Sequence, residues 1–423
     1  MKVEERLPRG QELLYALQHV FVSNVWLDPV FVASMIGLPF ALASNMVNAI
    51  FIAAGLVTLT QATRLARLPI VQGPSAAFDS LMIASGKANG LAAAGGGMII
   101  SALIFFLLAI TGVLGKMRIL FTPAVTGSVL FIVGLALSGF TFFEFLGGEP
   151  SLSSFLQPAT LAMSIPTALV VVFLSVFGKG KWKSFSFLLA LLVGDAIAVS
   201  LGQIHFADVS KKAWFGLPTL FPYGMLQFEW TSFLTFFFAY LVAVVEAMGV
   251  YHAAAEMVQE PLSADRIRNG FAGEAFGSAV STTIGGFATT AYAQNVGLLQ
   301  LTGIGSRHVV KIAGILFLIL GFIPKAGALL ALTPDAVVGG LFLPATASLL
   351  FAGIRQLGQM EKTEANYMIA GLSILFANTL PTALKGIHGI VGELLTNSIF
   401  VGAATAFILQ IILVSIPTGG KRS

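Results

Sequence analysis

The chain has 423 residues, of which 57% are hydrophobic and 10% charged, and its mean hydropathy is +0.91. Soluble proteins carry about 25% charged residues, so this composition excludes a soluble domain and predicts an integral membrane protein. The net charge of +4 comes from basic residues spread among loops, which does not indicate a nucleic-acid partner. The sequence contains no cysteine, which excludes disulfides and thiolate chemistry.

Fourteen apolar segments follow one another along the chain, and each can supply a membrane-spanning helix. Their approximate cores are 13–37, 40–63, 68–85, 91–115, 119–140, 157–178, 185–203, 230–254, 271–286, 289–304, 309–331, 336–354, 365–384 and 391–415. With both termini in the cytoplasm, 18 of the 23 Lys and Arg residues fall inside and 5 outside. This bias predicts an even number of spans and that orientation in the lipid bilayer.

Two short stretches interrupt apolar segments in matching places. One is 72–78, with the sequence Gln-Gly-Pro-Ser-Ala-Ala-Phe, and the other is 285–295, which is rich in Gly and Thr. Irregular backbone at membrane depth persists only where it is buried in protein or lines a cavity. Because paired interruptions in the two halves of a transporter point to its substrate site, these stretches predict a transporter with its site between them.

The two halves of the chain also resemble each other. The run 103–108 and Lys116 are echoed by the run 315–320 and Lys325, and a Thr-Pro pair follows in both copies. Seven spans separate the copies, so the second copy is upside down in the membrane. We therefore predict an all-α integral membrane protein with 14 transmembrane segments in a 7+7 inverted repeat.

Ionisable residues within spans are costly and are treated first as functional candidates. Five stand out: His19, Asp79, Asp195, Glu246 and Glu274. Glu246 lies along the eighth span among small residues that let another element approach. Its carboxylate can accept two N–H donors from an amide-like heterocycle; the alternative is a structural carboxylate paired with a neighbouring helix.

Glu274 and His19 each admit two interpretations. Glu274 begins the ninth predicted span, where it would cap a helix start or, alternatively, support the site or handle a proton. His19 lies in the first span beside Gln18, where it would switch charge near neutral pH or tie two helices together as a neutral residue. We favour the structural role for His19 and leave both roles open for Glu274.

The second interrupted stretch ends in residues that suit a flat, neutral ligand. Gln294 and Asn295 supply adjacent carboxamides that both donate and accept hydrogen bonds. Phe78 and Tyr292 occupy equivalent positions in the two stretches, and we predict that their rings sandwich a planar ligand.

The remaining polar residues give weaker indications. Asp79 follows the first stretch near the predicted cavity, whereas Asp195 is expected to pack inside the other group of helices. His252 and Glu256 have helical spacing but no third ligand, so no metal site is predicted. The sequence shows no phosphate-binding loop and no nucleophile–base arrangement, so we expect neither an ATP-driven pump nor an enzyme.

The run 294–303, Gln-Asn-Val-Gly-Leu-Leu-Gln-Leu-Thr-Gly, resembles the signature of the nucleobase–ascorbate transporters, a family that includes uracil and xanthine permeases. Gln18 and His19 in the first span, 73–78 in the third and Glu246 in the eighth match other landmarks of that family. The resemblance covers nearly the whole chain.

The resemblance implies a division into two domains. Spans 1–4 and 8–11, residues 1–116 and 229–331, would form a core domain, and spans 5–7 and 12–14, residues 117–228 and 332–423, a gate domain. Short strands in spans 3 and 10 would pair antiparallel at the substrate site. The resemblance also implies a homodimer in a bacterial cytoplasmic membrane, coupled to protons and without another cofactor.

The same resemblance implies roles for individual residues. Glu246 and Gln294 would bind a nucleobase through their side chains, and backbone near Phe78 and Ala293 would complete its hydrogen bonds. Glu274 occupies the place of a carboxylate that matters in xanthine carriers. These implications agree with the interrupted stretches found from the sequence pattern.

Two positions bear on substrate and coupling. Gln294 resembles xanthine and urate carriers, whereas uracil carriers more often have Glu, so we favour an oxidised purine. Val250 replaces a His or Asp of many relatives, which leaves Glu246, Glu274 and His19 as candidates for the proton-coupling group. The predicted function is proton-coupled nucleobase uptake by alternating access. The rivals are a uracil permease, and an anion transporter or channel on the same inverted-repeat fold.

Overall fold

The computed structural model describes residues 1–88, 90–387 and 389–416. The helices of the first half are α1 (Arg9–Ser23), α2 (Leu27–Ile36), α3 (Phe40–Thr63), α4 (Ala76–Ala88), α5 (Leu91–Ile110), α6 (Val113–Lys116), α7 (Pro123–Leu146), α8 (Pro158–Phe177), α9 (Lys181–Ser184), α10 (Ser186–Ser200) and α11 (Ala207–Ser210), with a 3-10 turn at Met117–Leu120.

The helices of the second half are α12 (Trp230–Met257), α13 (Ala264–Thr283), α14 (Ala293–Thr302), α15 (Arg307–Gly321), α16 (Pro324–Ala331), α17 (Asp335–Leu357), α18 (Glu364–Ala383), α19 (Gly389–Leu395) and α20 (Ser398–Gln410), followed by a π turn at Ile411–Ser415. The strands are β1 (Gln72–Pro74) and β2 (Thr289–Ala291). Strand β1 immediately precedes α4, and β2 is followed by α14.

The structure is that of an integral membrane protein, as the composition predicts. Within the described residues, eight helical segments are long and apolar enough to cross a membrane, or nine when α15 and α16 count as one bent span. Helix also lies within each of the fourteen predicted segments, but several of these helices are shorter than a full bilayer crossing.

Several segments that hydropathy predicts as continuous helices are broken, and the breaks in the first and the eleventh segments change the direction of the chain or the position of a site residue. The first divides into α1 and α2 at Asn24, whose φ of 51° lies in the left-handed region. The eleventh bends by 80° between α15 and α16, where Pro324 begins the second helix. The break at Asn24 has a consequence for the site, because it places Asp28 in the first turn of α2.

Helix α13 starts well before the apolar segment that predicts it. The side chain of Ser263 accepts a hydrogen bond from the Arg266 amide, and Asp265 follows in the first turn. These are favourable helix-start residues. Glu274 therefore lies in the middle of α13, and its predicted role as a helix cap is wrong.

Contacts between helices occur in matching pairs across the two halves. Helix α3 packs on α15 as α13 packs on α5, and α1 packs on α15 as α12 packs on α5. Likewise α8 packs on α10 as α18 packs on α20. Each helix of one pair and its counterpart in the matching pair lie in predicted spans whose numbers differ by seven. An approximate two-fold relation between the halves produces this pattern.

The helices also fall into two packing groups. Helices α7, α8, α10, α17, α18 and α20 contact mainly one another, whereas α3, α5, α13 and α15 pack with α1 and α12. Both strands lie in the second group, where β1 contacts α3 and β2 contacts α12 and α13. The connecting stretch 204–228 covers this group, with the Tyr223 hydroxyl donating to the Gly285 carbonyl at 2.7 Å.

The N-terminal segment is tied to the start of α15. Arg307 Nε lies 2.9 Å from both carboxylate oxygens of Glu4, and its Nη1 donates to the Ala62 carbonyl at 2.8 Å. The hydrogen bond from Arg307 holds the pKa of the Glu4 carboxyl below its ordinary value. This ion pair is half exposed, so it anchors the terminus without dominating stability.

Candidate functional site

The two interrupted stretches form a two-stranded antiparallel sheet. Gly73 lies opposite Thr290, with Gln72 opposite Ala291 and Pro74 opposite Thr289. The ladder is extended at both ends, because the Ser75 amide donates to the Ala288 carbonyl and the Tyr292 amide donates to the Val71 carbonyl. Backbone groups that a helix would satisfy internally are therefore satisfied between the two stretches.

Side chains satisfy the outer edges of both strands. The Gln72 amide donates to Thr58 Oγ1 at 2.9 Å, and the Thr289 amide donates to Ser278 Oγ at 2.9 Å. Because each strand has only one strand neighbour, an edge amide would otherwise be unpaired in the protein interior. Pro74 is tolerated for the same reason, since a two-stranded sheet consists of edges.

Gly73 lets the second stretch approach closely. A Cβ at this position would lie 2.6 Å from Cζ of the Tyr292 ring, which is far inside van der Waals contact. The ring of Tyr292 thus lies directly on the backbone of Gly73. Its hydroxyl reaches past the strand and donates to Asp28 Oδ2 at 3.0 Å.

Each strand leads directly into a helix whose N-terminal amides lack a side-chain cap. The Ser75 hydroxyl precedes α4 and has no hydrogen-bond partner among the described residues. Tyr292 precedes α14 and makes no capping hydrogen bond through its side chain. The first amides of a helix have no partner within the helix and carry partial positive charge. The strand pair thus presents two helix N-termini that can donate hydrogen bonds.

Glu246 lies beside the strand pair. Thr290 Oγ1 donates to the carbonyl of Ala243 at 3.4 Å, and Ala243 is about one helical turn before Glu246 on α12. Glu246 is partly exposed, and its carboxylate makes no hydrogen bond within the described part of the chain. The carboxylate therefore keeps its acceptor capacity for a ligand.

Two further carboxylates belong to the same cluster. Asp79 lies in the first turn of α4 and is completely buried, and Asp28 lies in the first turn of α2. Helices α2 and α12, which carry Asp28 and Glu246, both pack on α4. Asp28 could have been found in the sequence, because the acidic residue of Asp28-Pro29 falls within the first predicted span.

Glu274 occupies a different environment, although it also adjoins β1. Gln72 Nε2 and the Tyr251 hydroxyl donate to Glu274 Oε1, at 2.9 Å and 3.0 Å. Gln61 adds a hydrogen bond from Nε2 to the Gly270 carbonyl at 2.7 Å, which ties α3 to α13. This arrangement favours the support role for Glu274, because its carboxylate holds β1 against α12 and α13.

His19 and Asn295 contact each other directly. Asn295 Nδ2 lies 3.0 Å from His19 Nδ1 and 3.1 Å from the His19 carbonyl oxygen. The amide can donate to Nδ1 only when that nitrogen carries no proton. The contact therefore supports the interpretation of His19 as a neutral residue that ties α1 to α14.

The rings of Phe78 and Tyr292 do not form the predicted sandwich in this conformation. The Phe78 ring is fully buried and packs on Phe236 and Tyr240, with centroids 5.9 Å and 4.9 Å away. Tyr292 is also buried, with its ring on Gly73. Neither ring presents an open face, so the prediction that they sandwich a planar ligand is wrong for this conformation. The Phe78 ring is enclosed because it packs against Phe236 and Tyr240 of α12.

Gln294 and Ala293 lie at the start of α14, just after the second strand. Both are exposed in the first turn of α14, whereas the next residue, Asn295, is buried. Their exposure leaves the Gln294 carboxamide and the N-terminal backbone of α14 accessible. The structure thus brings Glu246, Gln294 and the two helix N-termini to one region, together with Asp28 and Asp79.

The weaker candidates lie elsewhere. Asp195 on α10 accepts a hydrogen bond from Thr333 Oγ1 at 3.3 Å, within the group of helices that contains α17. This contact agrees with its predicted structural role. His252 and Glu256 are both exposed on α12.

The fold and the strand pair define a membrane transport protein. The sequence model of the Permease family matches residues 10–386, and the chain belongs to this family. The predicted family resemblance is thereby confirmed. Because the family consists of permeases, membership places the chain among transporters rather than enzymes.

Relatives of this family match the chain over nearly its whole length. The uric acid permease PucK of Bacillus subtilis is 30% identical over 410 residues, covering 95% of this chain and 95% of that protein. The xanthine permease of the same organism is 30% identical and covers 95% and 94%. The xanthine permease XanQ of Escherichia coli is 26% identical and covers 100% and 94%.

Solved structures share the fold. The transmembrane domain of the cyanobacterial bicarbonate transporter BicA has a TM-score of 0.63 at 15% identity, covering 97% of this chain and 99% of that chain. A murine anion transporter of solute carrier family 26 has a TM-score of 0.66 at 14% identity, covering 98% and 70%. At these identities the similarity concerns the fold alone.

Proposed function

We propose that the chain is a proton-coupled nucleobase symporter that takes up an oxidised purine of the xanthine or urate type in preference to uracil. The observation that carries the proposal is the position of Glu246. A carboxylate without a hydrogen-bond partner in the described residues lies beside two helix N-termini and an exposed carboxamide, Gln294. A flat heterocycle with N–H and carbonyl edges complements this set of groups.

Each group has a distinct role in this proposal. Ionised Glu246 accepts N–H bonds from the base, and Gln294 pairs with a neighbouring carbonyl and N–H edge. The amides at the start of α4 and α14, near Phe78 and Ala293, donate to the carbonyl oxygens of the base. The contact between Asn295 and His19 fixes α14 against α1, and the hydrogen bond from Gln72 to Glu274 fixes β1 against α13.

The substrate preference rests on Gln294 and on the relatives. A neutral carboxamide donates and accepts, whereas an ionised carboxylate only accepts. Gln294 therefore suits an edge of the base on which a carbonyl lies next to an N–H group. The names of the matching permeases from Bacillus subtilis and Escherichia coli, which specify uric acid or xanthine, support an oxidised purine.

We also propose the complete membrane architecture. Fourteen spans form two inverted repeats of seven, with residues 1–116 and 229–331 in a core domain and 117–228 and 332–423 in a gate domain. The matching contact pairs between the halves and the two packing groups support this arrangement. Both termini are cytoplasmic, and the transporter is a homodimer in a bacterial cytoplasmic membrane.

Contacts between α2 and the gate helices support alternating access. Ser34 Oγ on α2 lies 2.8 Å from Glu144 Oε1 on α7 and 2.6 Å from Asp335 Oδ1 on α17. Phe31 of α2 stacks on Phe342 of α17, with centroids 3.7 Å apart. We call these contacts the Ser34 clamp. In the proposed topology the clamp lies at the extracellular ends of the helices, so it closes the site toward the outside.

An anion transporter is the second candidate, because solved structures of this fold include bicarbonate and other anion carriers. The charges at the strand pair oppose it. Helices α2, α12 and α14 and both strands contain no Lys or Arg, whereas Asp28, Asp79 and Glu246 are acidic. A small inorganic anion, which has no N–H groups to donate to these acceptors, would meet three carboxylates there, and like charges repel strongly in a low-dielectric site.

Uptake into proteoliposomes tests the proposal. Purified protein is reconstituted, and radiolabelled xanthine, urate, uracil, guanine and adenine are offered with and without an inward proton gradient. We expect accumulation of xanthine or urate above equilibrium only with the gradient. Chloride or bicarbonate flux without nucleobase uptake would establish the anion transporter instead.

Replacement of Gln294 tests the preference between bases. Gln294→Glu removes the donor at this position and adds a charge, so we expect xanthine to lose and uracil to gain competitive strength. The measurement is the ratio of their inhibition constants in uptake competition, compared with Gln300→Glu at an exposed position on the same helix. An unchanged ratio would remove Gln294 from the specificity site.

A further inference from the structure

The Ser34 hydroxyl contacts two acids at once. Its Oγ lies 2.8 Å from Glu144 Oε1 and 2.6 Å from Asp335 Oδ1. Oxygen atoms that approach this closely have a hydrogen atom between them. Ser34 carries a single hydroxyl hydrogen, which lies along only one of the two contacts, and an ionised carboxylate has no hydrogen to donate. The other contact therefore needs a further proton on one of the acids.

The surroundings of the two acids indicate which one holds this proton. Glu144 is 6% exposed, and its Oε2 has no hydrogen-bond partner among the described residues. An ionised carboxylate is strongly disfavoured in such a place. Asp335 is exposed and lies in the first turn of α17, where water and the helix N-terminus favour a negative charge.

The two distances agree with this assignment. The shorter contact, from Ser34 Oγ to Asp335, has the length of a hydroxyl donating to an ionised carboxylate. The longer contact, from Glu144 to Ser34 Oγ, has the ordinary length of a hydrogen bond between neutral oxygen groups. The hydrogen bonds thus run in one direction, from the buried acid through the hydroxyl to the exposed acid.

The two acids lie on helices that are fixed to each other. Helix α7 packs on α17 along much of its length. A Cβ on Gly339 of α17 would overlap the backbone of Glu144 and Phe145, so the two helices are in backbone contact at this point. Because α7 and α17 cannot easily separate here, movement of α2 is the change that breaks the contacts of Ser34.

The other charged residues around α7 do not replace the proton on Glu144. Of the helices that pack on α7, α8 and α20 contain no ionisable residue. Helix α4 carries Lys87 in its last turn, but Lys87 is exposed and has no ion-pair partner within the described ranges. The remaining titratable residues of α2, α4, α12, α17, α18 and the loop after α7 make no hydrogen bond or ion pair with Glu144; they are Asp28, Asp79, Tyr240, Glu246, Tyr251, His252, Glu256, Arg355, Glu364, Tyr367 and Glu149.

We propose that the Ser34 clamp is a proton-binding site, in which Glu144 as a neutral acid donates to Ser34 and Ser34 donates to ionised Asp335. The clamp takes up one proton when it closes the outer side of the transporter, and it releases that proton when it opens. The inference rests on the alternating access and the topology of the proposed function. It concerns closure and not the transported proton, because this proton returns to the side from which it came.

The three side chains also form the route by which the proton leaves. Asp335 reaches water, Ser34 is partly exposed and Glu144 is enclosed. As the clamp opens, the proton of Glu144 passes to Ser34 Oγ while the Ser34 hydrogen passes to Asp335 Oδ1. Asp335 then releases a proton to the outside water. One O–H bond breaks and one forms at each transfer, so no other reactant is needed.

A metal cation does not fit the same three groups. Oxygen ligands surround a shared cation, at about 2.3–2.6 Å from it in the case of Ca²⁺, and are separated by it. Ser34 Oγ instead contacts both acids directly, at hydrogen-bond distances. No group of three or more His, Asp or Glu side chains in the described part of the chain has an arrangement that could hold a metal ion.

The accessibility of a buried position beside the clamp tests the proposal without nucleobase. Val338→Cys introduces the only Cys of the chain at a fully buried position on α17. Proteoliposomes are labelled with an impermeant maleimide over a range of external pH. The labelling rate is divided by that of Ser153→Cys, an exposed position in the loop after α7, to cancel the pH dependence of the thiol itself. Release of one proton on opening should raise this ratio by up to about tenfold per pH unit.

Two variants in the Val338→Cys background identify the group that binds the proton. Glu144→Gln is permanently neutral and donates to Ser34 through its amide, so we expect a low ratio at every pH. Asp335→Asn keeps an oxygen acceptor for Ser34 but removes the neighbouring charge, so we expect a smaller total rise with pH. Elution on size-exclusion chromatography checks that both variants are folded.

Three results would overturn the proposal. The first is a ratio for Val338→Cys that does not change with external pH. The second is a change with pH that is equally large in Glu144→Gln. The third is a ratio that follows the replacement of sodium by choline instead of pH, which would assign a metal cation to the clamp.

Infrared difference spectroscopy provides a measurement that does not depend on opening. The C=O stretching band of protonated carboxylic acid is recorded at neutral pH. We expect Glu144→Gln to lose a band that Glu149→Gln, at an exposed position in the loop after α7, retains. The same band should shift in frequency in Ser34→Ala, because the acid loses its acceptor. Identical bands in wild-type protein and Glu144→Gln would overturn the proposal.

Two outcomes separate this inference from the proposed function. If the protein takes up no nucleobase while the labelling of Val338→Cys follows external pH, the nucleobase symporter fails and the proton site stands. If nucleobase uptake is driven by a proton gradient while the labelling is independent of external pH, the proposed function stands and the proton site is overturned.

Discussion

Two acids next to β1 are similarly buried, yet they have opposite surroundings. Glu274 is 6% exposed and receives hydrogen bonds from Gln72 and Tyr251, whereas Asp79 is 0% exposed and receives none from the described residues. Burial therefore does not identify a functional acid in this protein. The supply of donors distinguishes the two acids, because a carboxylate that accepts hydrogen bonds from its neighbours contributes to structure, whereas one without donors is available for a proton or ligand.

The difference extends to the elements that hold the acids. Glu274 lies in the middle of the long helix α13 and binds two neighbouring elements together. Asp79 and Asp28 lie in the first turns of helices that follow interruptions. A helix start next to irregular backbone can change its surroundings when the two helix groups move, whereas the interior of a helix bundle resists such change.

The largest expected effect concerns Glu246. Glu246→Gln should reduce xanthine affinity by roughly 30-fold or more, because losing one partner of a buried charged hydrogen bond costs about 2 kcal/mol or more. The measurement is equilibrium binding by the purified protein, with elution on size-exclusion chromatography as the folding check. Glu256→Gln, at an exposed position on the same helix, is the matched control. Wild-type affinity in Glu246→Gln would remove Glu246 from the site.

The next effect concerns the close approach at the strand pair. Gly73→Ala places a Cβ within 2.6 Å of the Tyr292 ring, and overpacking of this kind costs about 1–3 kcal/mol. We expect a lower free energy of unfolding and weaker substrate binding together, because the ring also holds Asp28. Gly249→Ala serves as the comparison, since no neighbouring atom lies within 4 Å of a Cβ there. Equal stability of the two variants would refute the close contact.

A third variant removes the hydrogen-bond donor from the Ser34 clamp. Ser34→Ala removes the hydroxyl that Glu144 and Asp335 share, so we expect the Ser34 clamp to open more often. The reporter is a single Cys introduced by Val338→Cys, a buried position on α17 outside the clamp, since the chain has no Cys of its own. Labelling by an impermeant maleimide should rise several-fold, as expected for a shift of about 1 kcal/mol in the conformational equilibrium.

The comparison for the clamp is Ser164→Ala in the same reporter background. Ser164 is fully buried, whereas Ser34 is partly buried, and the Ser164 hydroxyl has no partner in the described residues. Its removal should leave labelling unchanged. If both variants raise labelling equally, the effect comes from a general loosening of the gate helices and the clamp has no specific role.

A smaller effect is expected at Glu274, the acid that accepts hydrogen bonds from its neighbours. Glu274→Gln keeps an oxygen that can accept from Gln72 and Tyr251, so only the charge-assisted part of these bonds is lost. We expect a decrease of about 1 kcal/mol in the free energy of unfolding, with proton-driven uptake retained. Uptake in proteoliposomes and denaturation in detergent provide the two measurements. Loss of proton-driven uptake with exchange intact would assign a coupling role to Glu274.

The smallest effect concerns the exposed acid Glu4. Its pKa is held below the ordinary value of 4.5 by the hydrogen bond from Arg307, so its stabilising contribution is present above that value. The contribution is lost as pH falls through the lower pKa of the folded state. Glu4→Gln should cost less than about 1 kcal/mol at neutral pH and weaken the pH dependence of stability in acid. Glu361→Gln, an exposed acid without an ion pair, should change neither.

The sequence predicts the position of the strand pair because local chemistry determines it. Gly73, Pro74 and the Gly-rich start of the second stretch cannot continue an apolar helix, and both stretches were bounded by composition alone. That these stretches contain strands, and that the strands pair, is implied only by the family resemblance. The residues themselves point to Glu246, as an ionisable residue within a span, and to Gln294, as one of two adjacent carboxamides. Their role in ligand binding stays a prediction.

Other features depend on tertiary contacts that hydropathy does not show. Asp28 was missed because the break at Asn24 converts the middle of an apolar segment into a helix start. The role of Glu274 depends on where α13 begins, which Ser263 determines from outside the apolar run. The burial of Phe78 depends on its packing against α12.

A structure of the protein with bound xanthine, determined by electron cryomicroscopy, tests the central claim most directly. We predict that the base lies between the starts of α4 and α14, with its N–H groups within hydrogen-bond distance of the Glu246 carboxylate and its edge against Gln294. A base bound at a site that leaves Glu246 without contact to it would contradict the account.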